Sequence, residues 1–381
     1  MSSVELMQEG KRQMQICNAC RYCEGYCAVW HAIEYRREFT DKDMTYLANL
    51  CHDCRECVFA CPFTTPHEFG VNPPKLFAEL RQDSYKKYAI ASPLGKLNFW
   101  ATTVIALVVF FIIALVLNGS TNVFSKHLGT GGFYAVLSEG LLTILFSIFG
   151  LWMAFGWVFG AFRYWRDLKS EQTQPVMARD VVKAIKDAFA LRYLGKETPD
   201  SEVPMQRRVL HHFVFYGFLL DFASTTLGAF YSHVLHIQAP YPVMSPVVIL
   251  GILGGIGILI GTSGFIYVKT RDDRSATDEG AVKSGRAFSI SLLLVAATGF
   301  LLLALRDTAA MGTILVIHLS TVASLFLTAP YTKFTHFVYR LMALVRYAQE
   351  ERTHGVSAAP KPVAHSSHQF RKIVDMDSAN Q

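Results

Sequence analysis

Residues 17–27, CNACRYCEGYC, place cysteines at 17, 20, 23 and 27, and residues 51–62, CHDCRECVFACP, repeat that spacing at 51, 54, 57 and 61. The two runs use all eight cysteines of the chain. Three thiolates, each separated by two residues, curl around one [4Fe–4S] cube, and a fourth, three residues on, reaches across to a second cube. By that rule Cys17, Cys20, Cys23 and Cys61 hold one cluster, while Cys51, Cys54, Cys57 and Cys27 hold the other. Ala28 stands where the second run has Pro62, a turn-shaping residue that supplies no ligand.

This is the cluster-binding spacing of bacterial-type ferredoxins. Two other uses of the cysteines fit less well. Disulfides need an oxidising compartment, yet residues 1–16 are polar and carry no apolar signal core, so the cysteine half is expected in the cytoplasm. Two zinc sites would present separated pairs of cysteines rather than an unbroken triple plus a fourth.

Working outward, the 381 residues are 51% hydrophobic and only 17% charged; residues 1–96 are polar and charged, and the rest alternates apolar runs with short basic segments. Six apolar segments, roughly 98–117, 139–162, 209–232, 246–268, 287–305 and 309–332, have the length that crosses a bilayer. Residues 163–208 hold ten Lys or Arg and 269–286 hold five, whereas the alternate loops offer only Lys126 and Arg306. The positive-inside rule then puts the cluster domain and both termini in the cytoplasm, as an even number of spans requires. The net charge of +6 follows these loops and is a topology signal, not a nucleic-acid footprint.

The expectation is an all-α membrane protein of the bacterial inner membrane. A ferredoxin-like helical domain with two [4Fe–4S] clusters (1–96) precedes a six-helix transmembrane haem b domain (97–348), which carries a cytoplasmic loop at 163–208. A disordered tail follows at 349–381. Residues 178–191 have helical apolar spacing and are expected to lie on the inner membrane surface or to form a docking edge for the cluster domain.

Ionisable side chains in spans are costly and mark function. His318 and His336 are 18 residues apart, five helical turns, and read as one face of one helix spanning about 27 Å. His211 and His212 open the third span and His233 closes it. Matching by depth pairs His336 with His211 or His212 near the inner surface, and His318 with His233 or His236 toward the outer one. Paired imidazoles on facing helices are what a b-type haem needs, so one or two haems are expected. His127 and His236 read better as interfacial residues. No C-x-x-C-H occurs, which excludes covalent haem attachment. Asp221, mid-span, is either a proton carrier for a quinone or a buried contact to a neighbouring helix. The glycines from 251 to 264 read as helix packing. His31, Glu34, Arg36 and Arg37 offer a charged docking face, although solvated residues are the commoner meaning of such a group.

The stretches CNACRYCEGYCAVWHA, CHDCRECVFACPFTTPHEFGVNPPK, RYLGKETPDSEVPMQRRVLHHFVFYGFLLDFAST and APYTKFTHFVYR resemble the tricarballylate-utilisation protein B family, also called the citrate-utilisation B family. The resemblance extends from Cys17 to about Arg346. It implies a membrane partner of an FAD-dependent tricarballylate dehydrogenase, passing electrons from reduced FAD through clusters and haem to the quinone pool. Alternatives are the electron-transfer subunit of another flavoprotein or of a fumarate- or heterodisulfide-type reductase, and a membrane-anchored redox sensor. The chain has no nucleotide-binding βαβ unit, so substrate chemistry belongs on a partner.

Overall fold

The structure, a computed structural model, describes residues 3–96, 98–129, 131–169, 174–194, 204–271 and 274–354. Among these residues it contains thirteen α-helices and no strand. Five helices build the N-terminal domain: α1 (Ser3–Cys20), α2 (Ala28–Glu34), α3 (Asp41–Leu50), α4 (Glu56–Phe59) and α5 (Pro73–Tyr88). Local signals fix their starts. Thr40 and Asp43 form a reciprocal capping box on α3. Asn72 caps α5, whose first two positions are the prolines 73 and 74.

Six further helices are long and apolar enough to cross a membrane. They are α6 (Phe99–Phe124), α7 (Glu139–Lys169), α9 (Pro204–His233), α10 (Pro246–Arg271), α11 (Glu279–Leu305) and α12 (Met311–Thr328). Their outer faces expose Val104, Val116, Leu151, Val158, Phe222 and Leu253, the surface that lipid covers. Helix α6 bends at Gly119, whose φ of 74° a side chain would resist.

Helices α9 and α10 meet along a glycine seam. A Cβ on Gly217 would stand 2.7 Å from the Gly254 carbonyl oxygen, and one on Gly257 would stand 2.9 Å from that of Phe213. The small residues of α10 thus serve helix packing.

The remaining helices tie the two parts together. Helix α13 (His336–His354) packs against α3, α7 and α8 (Ala178–Phe189). Arg36 donates to Asp43 at 2.6 Å and to Glu350 at 2.5 Å, Arg346 donates to Glu350 at 2.9 Å, and Tyr46 donates its hydroxyl to Glu350 at 2.9 Å. Both guanidiniums also sit over the Tyr46 ring. Tyr85, Tyr88, Tyr164 and Tyr339 stack between α5, α7 and α13, so one apolar core runs from the N-terminal domain into the bundle.

Three expectations change. His318 and His336 do not share a helix: α12 stops at Thr328, and two 3-10 turns, Ala329–Tyr331 and Lys333–Thr335, precede α13. Pro330 supplies no donor to a continuing helix and clashes with the preceding turn. Within the stretch 163–208, α8 forms where the apolar spacing of 178–191 predicts a helix, while α7 runs on to Lys169 and α9 begins at Pro204. Of the stretch 349–381, residues 349–354 complete α13 and the rest lie outside the described residues. Arg36 offers no docking face, because its guanidinium is buried among Asp43, Glu350 and Tyr46.

Helix α8 turns its charged side inward. Asp180 meets Arg352 at 2.9 Å, and Lys183 meets Asp187 at 2.8 Å and Glu351 at 2.9 Å. Val182, Ile185 and Phe189 face outward. The Tyr216 hydroxyl of α9 donates to the Phe189 carbonyl at 3.1 Å, holding this apolar face beside a span.

Candidate functional site

The eight cysteines surround two cavities. One, of about 460 Å³ including its mouth, is lined by Cys17, Cys20, Cys23 and Cys61. The other, of about 390 Å³, is lined by Cys27, Cys51, Cys54 and Cys57. Each cavity therefore takes three cysteines from one run and the last cysteine of the other.

The backbone bends sharply to make these walls. Arg21, Asp53 and Arg55 all take left-handed conformations, with φ of 56°, 58° and 69°. Non-glycine residues occupy that region at a cost of about 1 kcal/mol or more, and such strain gathers at functional sites. The amides of Asp53 and Phe63 point at the sulfurs of Cys51 and Cys61, each at 3.4 Å.

Burial, reinforced by the neighbouring sulfurs, pushes the thiols of Cys17 and Cys27 up to about 12. Four thiolates in so small a space need cations among them, which is the condition an iron–sulfur cube meets. Among the described residues no three His, Cys, Asp or Glu side chains close into a cage for a single ion. Sulfurs around a cube stand farther apart than those bound at about 2.3 Å to one zinc.

The turn that walls the second cavity is held from α5, α9 and α13. Arg81 donates to the Cys51 carbonyl at 2.7 Å, and Arg340 of α13 donates to the same oxygen. His52, next in sequence, is held well below the usual imidazole range by burial, then by the charges of Arg340 and His211. Arg207 of α9 donates to the Asp53 carbonyl at 3.0 Å.

His211 and His336 come together at this inner end, with ring centres 6.3 Å apart and planes at 73°. Two imidazoles sharing one iron at about 2 Å from each ring nitrogen place their centres about 6 Å apart. His336 is oriented for that use, because its Nδ1 lies 2.6 Å from the Lys333 carbonyl and leaves Nε2 to face inward. His211 and His212 each have a buried Nδ1 with no hydrogen-bond partner, so it is the contact with His336 that distinguishes His211. His212 turns away and stacks on Tyr216 at 5.6 Å.

The outer histidines are not brought together in this way. His318 Nδ1 meets the Thr298 hydroxyl of α11 at 3.0 Å. His233 Nε2 meets Thr143 of α7 at 3.3 Å. Asp221 packs against Gly254 of α10.

The family described as Citrate utilization protein B matches residues 94–357, and the Fer4-like domain of that family matches residues 10–87. The chain belongs to the citrate utilization protein B family. An Escherichia coli protein named Citrate utilization protein B is 40% identical over 361 residues, covering 90% of this chain and 92% of that one. No solved structure matches. This family member thus joins a Fer4-like domain of iron–sulfur type to a multi-pass membrane bundle.

Reading by residue type missed His52, Arg81 and Arg340 in this family member. Signals for two of them were present in the sequence. His52 adjoins the first cysteine of the second run, and Arg340 lies one helical turn beyond His336. Arg81 gives no such signal, since its role depends on how α5 packs.

Proposed function

We propose that this chain is a membrane electron-transfer protein that accepts electrons from the reduced FAD of a partner tricarballylate dehydrogenase and delivers them to the quinone pool from the cytoplasmic side. The observation that carries the reading is the crossed pair of cysteine cavities, the second of which abuts the His211–His336 pair through His52 and Arg340. When bound, two [4Fe–4S] clusters and haem b supply one-electron carriers between a two-electron flavin and a quinone.

The protein's own work is placement and charge. Cys17, Cys20, Cys23 and Cys61 would hold the outer cluster, near the exposed side chains of Cys20 and Tyr22 where a flavoprotein can approach. Cys27, Cys51, Cys54 and Cys57 would hold the inner one. Arg81 and Arg340 set positive charge beside Cys51, which favours the more negative, reduced form of whatever the thiolates carry. His211 and His336 would hold the haem through their ring nitrogens. His318 and His233 remain candidates for a second haem; His318 now meets the Thr298 hydroxyl, and His233 meets the Thr143 hydroxyl and lies 4.0 Å from the Glu139 carboxylate. The relative's name, with its reference to citrate, supports a tricarboxylic acid as the partner's fuel.

Anaerobically purified protein is expected to contain about eight non-haem irons with matching labile sulfide, plus haem b. Replacing Cys54 with Ser should remove one cluster's paramagnetic signal and stop reoxidation of the flavoprotein. Continued reoxidation at the normal rate would show that the route bypasses this cavity.

A further inference from the structure

Helix α8 leaves an apolar stripe uncovered along its length: Met177, just before it, and Val182, Ile185 and Phe189 are all exposed. The stripe cannot turn inward, because the opposite side of the helix is already fixed. Asp180 and Asp187 are buried there, Arg352 holds Asp180, and Glu351 holds Lys183. Both carboxylates of α8 are thus withdrawn from its surface, and the charged residues it exposes, Arg179 and Lys186, are both positive. With about 100° between successive helical residues, these two fall along one edge of the stripe, next to Val182.

The stripe also joins the surface that the bundle turns toward lipid. Phe189 meets Phe215 of α9 edge-on at 5.2 Å, and Arg208 donates to the Ala190 carbonyl at 2.9 Å. The Tyr216 hydroxyl reaches the Phe189 carbonyl from the same helix. Val209 and Phe213, on the face of α9 that carries Tyr216, are exposed in their turn. An apolar strip continuous with a span, edged by basic residues and cleared of acidic ones, is complementary to an anionic membrane surface.

We infer that α8 is a binding site for anionic phospholipid, with Val182, Ile185 and Phe189 seated among acyl chains and Arg179 and Lys186 on headgroup phosphates. Hydrophobic burial holds the helix at the surface, and the two cations select for negative headgroups. Through Asp180 and Lys183 the lipid contact is tied to the end of α13.

The full chain with Ile185→p-benzoylphenylalanine, a photoreactive side chain, can be placed in nanodiscs of phosphatidylcholine and phosphatidylglycerol in equal parts. Irradiation should attach lipid to the peptide that carries residue 185, with phosphatidylglycerol favoured roughly tenfold. Adding Arg179→Gln/Lys186→Gln should remove that preference. Phe222→p-benzoylphenylalanine, on the lipid-facing surface of α9, should attach both lipids equally with or without the Gln changes, which shows that the bundle remains folded and inserted. The unaltered protein gives an independent reading: amides of 178–189 should exchange more slowly in the mixed discs than in phosphatidylcholine alone. Absence of a lipid adduct at 185, a headgroup ratio that the Gln changes leave as it was, or equal exchange in the two discs would overturn the inference. So would a cross-link from position 185 to another protein in native membranes, which would give this face to a protein partner.

Discussion

His211 and His212 are adjacent in sequence and unlike in surroundings. Both are half-buried, but the first faces His336 and Phe265 and the second stacks on Tyr216. The expected outcome is that His211→Ala or His336→Ala lowers haem per protein severalfold in purified membranes, while His212→Ala leaves it unchanged. Equal losses in His211→Ala and His212→Ala would show that helix disruption, not ligation, is being measured. The glycine seam gives a second residue-scale prediction. Gly217→Ala ordinarily gains helix propensity, yet here the methyl would press on the Gly254 carbonyl oxygen and the Ile258 amide, backbone atoms that cannot turn aside. Thermal denaturation in detergent should show a net loss of about 1–3 kcal/mol. The three-plus-one grouping of the eight cysteines around two cavities was legible from the sequence because it depends on spacing along the chain. The choice between His211 and His212 was not, because it depends on the rotation of α9, which the backbone packing against α10 sets.

At the scale of elements, α13 is the piece that sequence reading handled worst. Its hydrophobic pattern continues that of α12, and the turn chemistry at 329–335 is brief. Pro330 ends one helix, and Thr332 accepts from the Phe334 amide before the next begins. The break redirects α13 onto the N-terminal domain, where Glu350 serves both Arg36 and Arg346. Glu350→Ala should cost about 3–5 kcal/mol by leaving two buried guanidiniums short of a partner, read as a lowered unfolding midpoint and faster oxygen damage to the clusters. Acid should loosen the same contacts. Burial alone would raise the carboxyls of Asp43 and Asp180, but Arg36 and Arg352 outweigh it and hold both below the usual range. A carboxyl depressed in the folded state contributes fully above its unfolded pKa, and the contribution is lost as pH falls through the folded value. Attachment of α13 to α3 and α8, followed by hydrogen exchange, should therefore be steady near neutrality and weaken below about pH 4.

For the whole molecule, the number of spans and the separation of a cysteine domain from a lipid-facing bundle were legible from charge and hydropathy. What was hidden is how closely the two parts join, because contacts such as those of Arg340 with Cys51 and Arg346 with Asp43 connect residues hundreds of positions apart. Those contacts put α13 and the N-terminal domain at one end of the bundle. On the proposed orientation, which the basic loops 163–208 and 269–286 support, a protease site inserted after His354 should be cut in inside-out vesicles and protected in right-side-out ones. Cleavage in the right-side-out vesicles alone would reverse the orientation. The exchange of Cys27 and Cys61 between the two cavities has a further effect on biogenesis. Neither nest of sulfurs is complete until both turns have folded, so on the proposed two-cluster reading neither cavity can be filled ahead of the other turn's folding. Partly matured preparations should contain empty and filled molecules, with no population stalled at four irons.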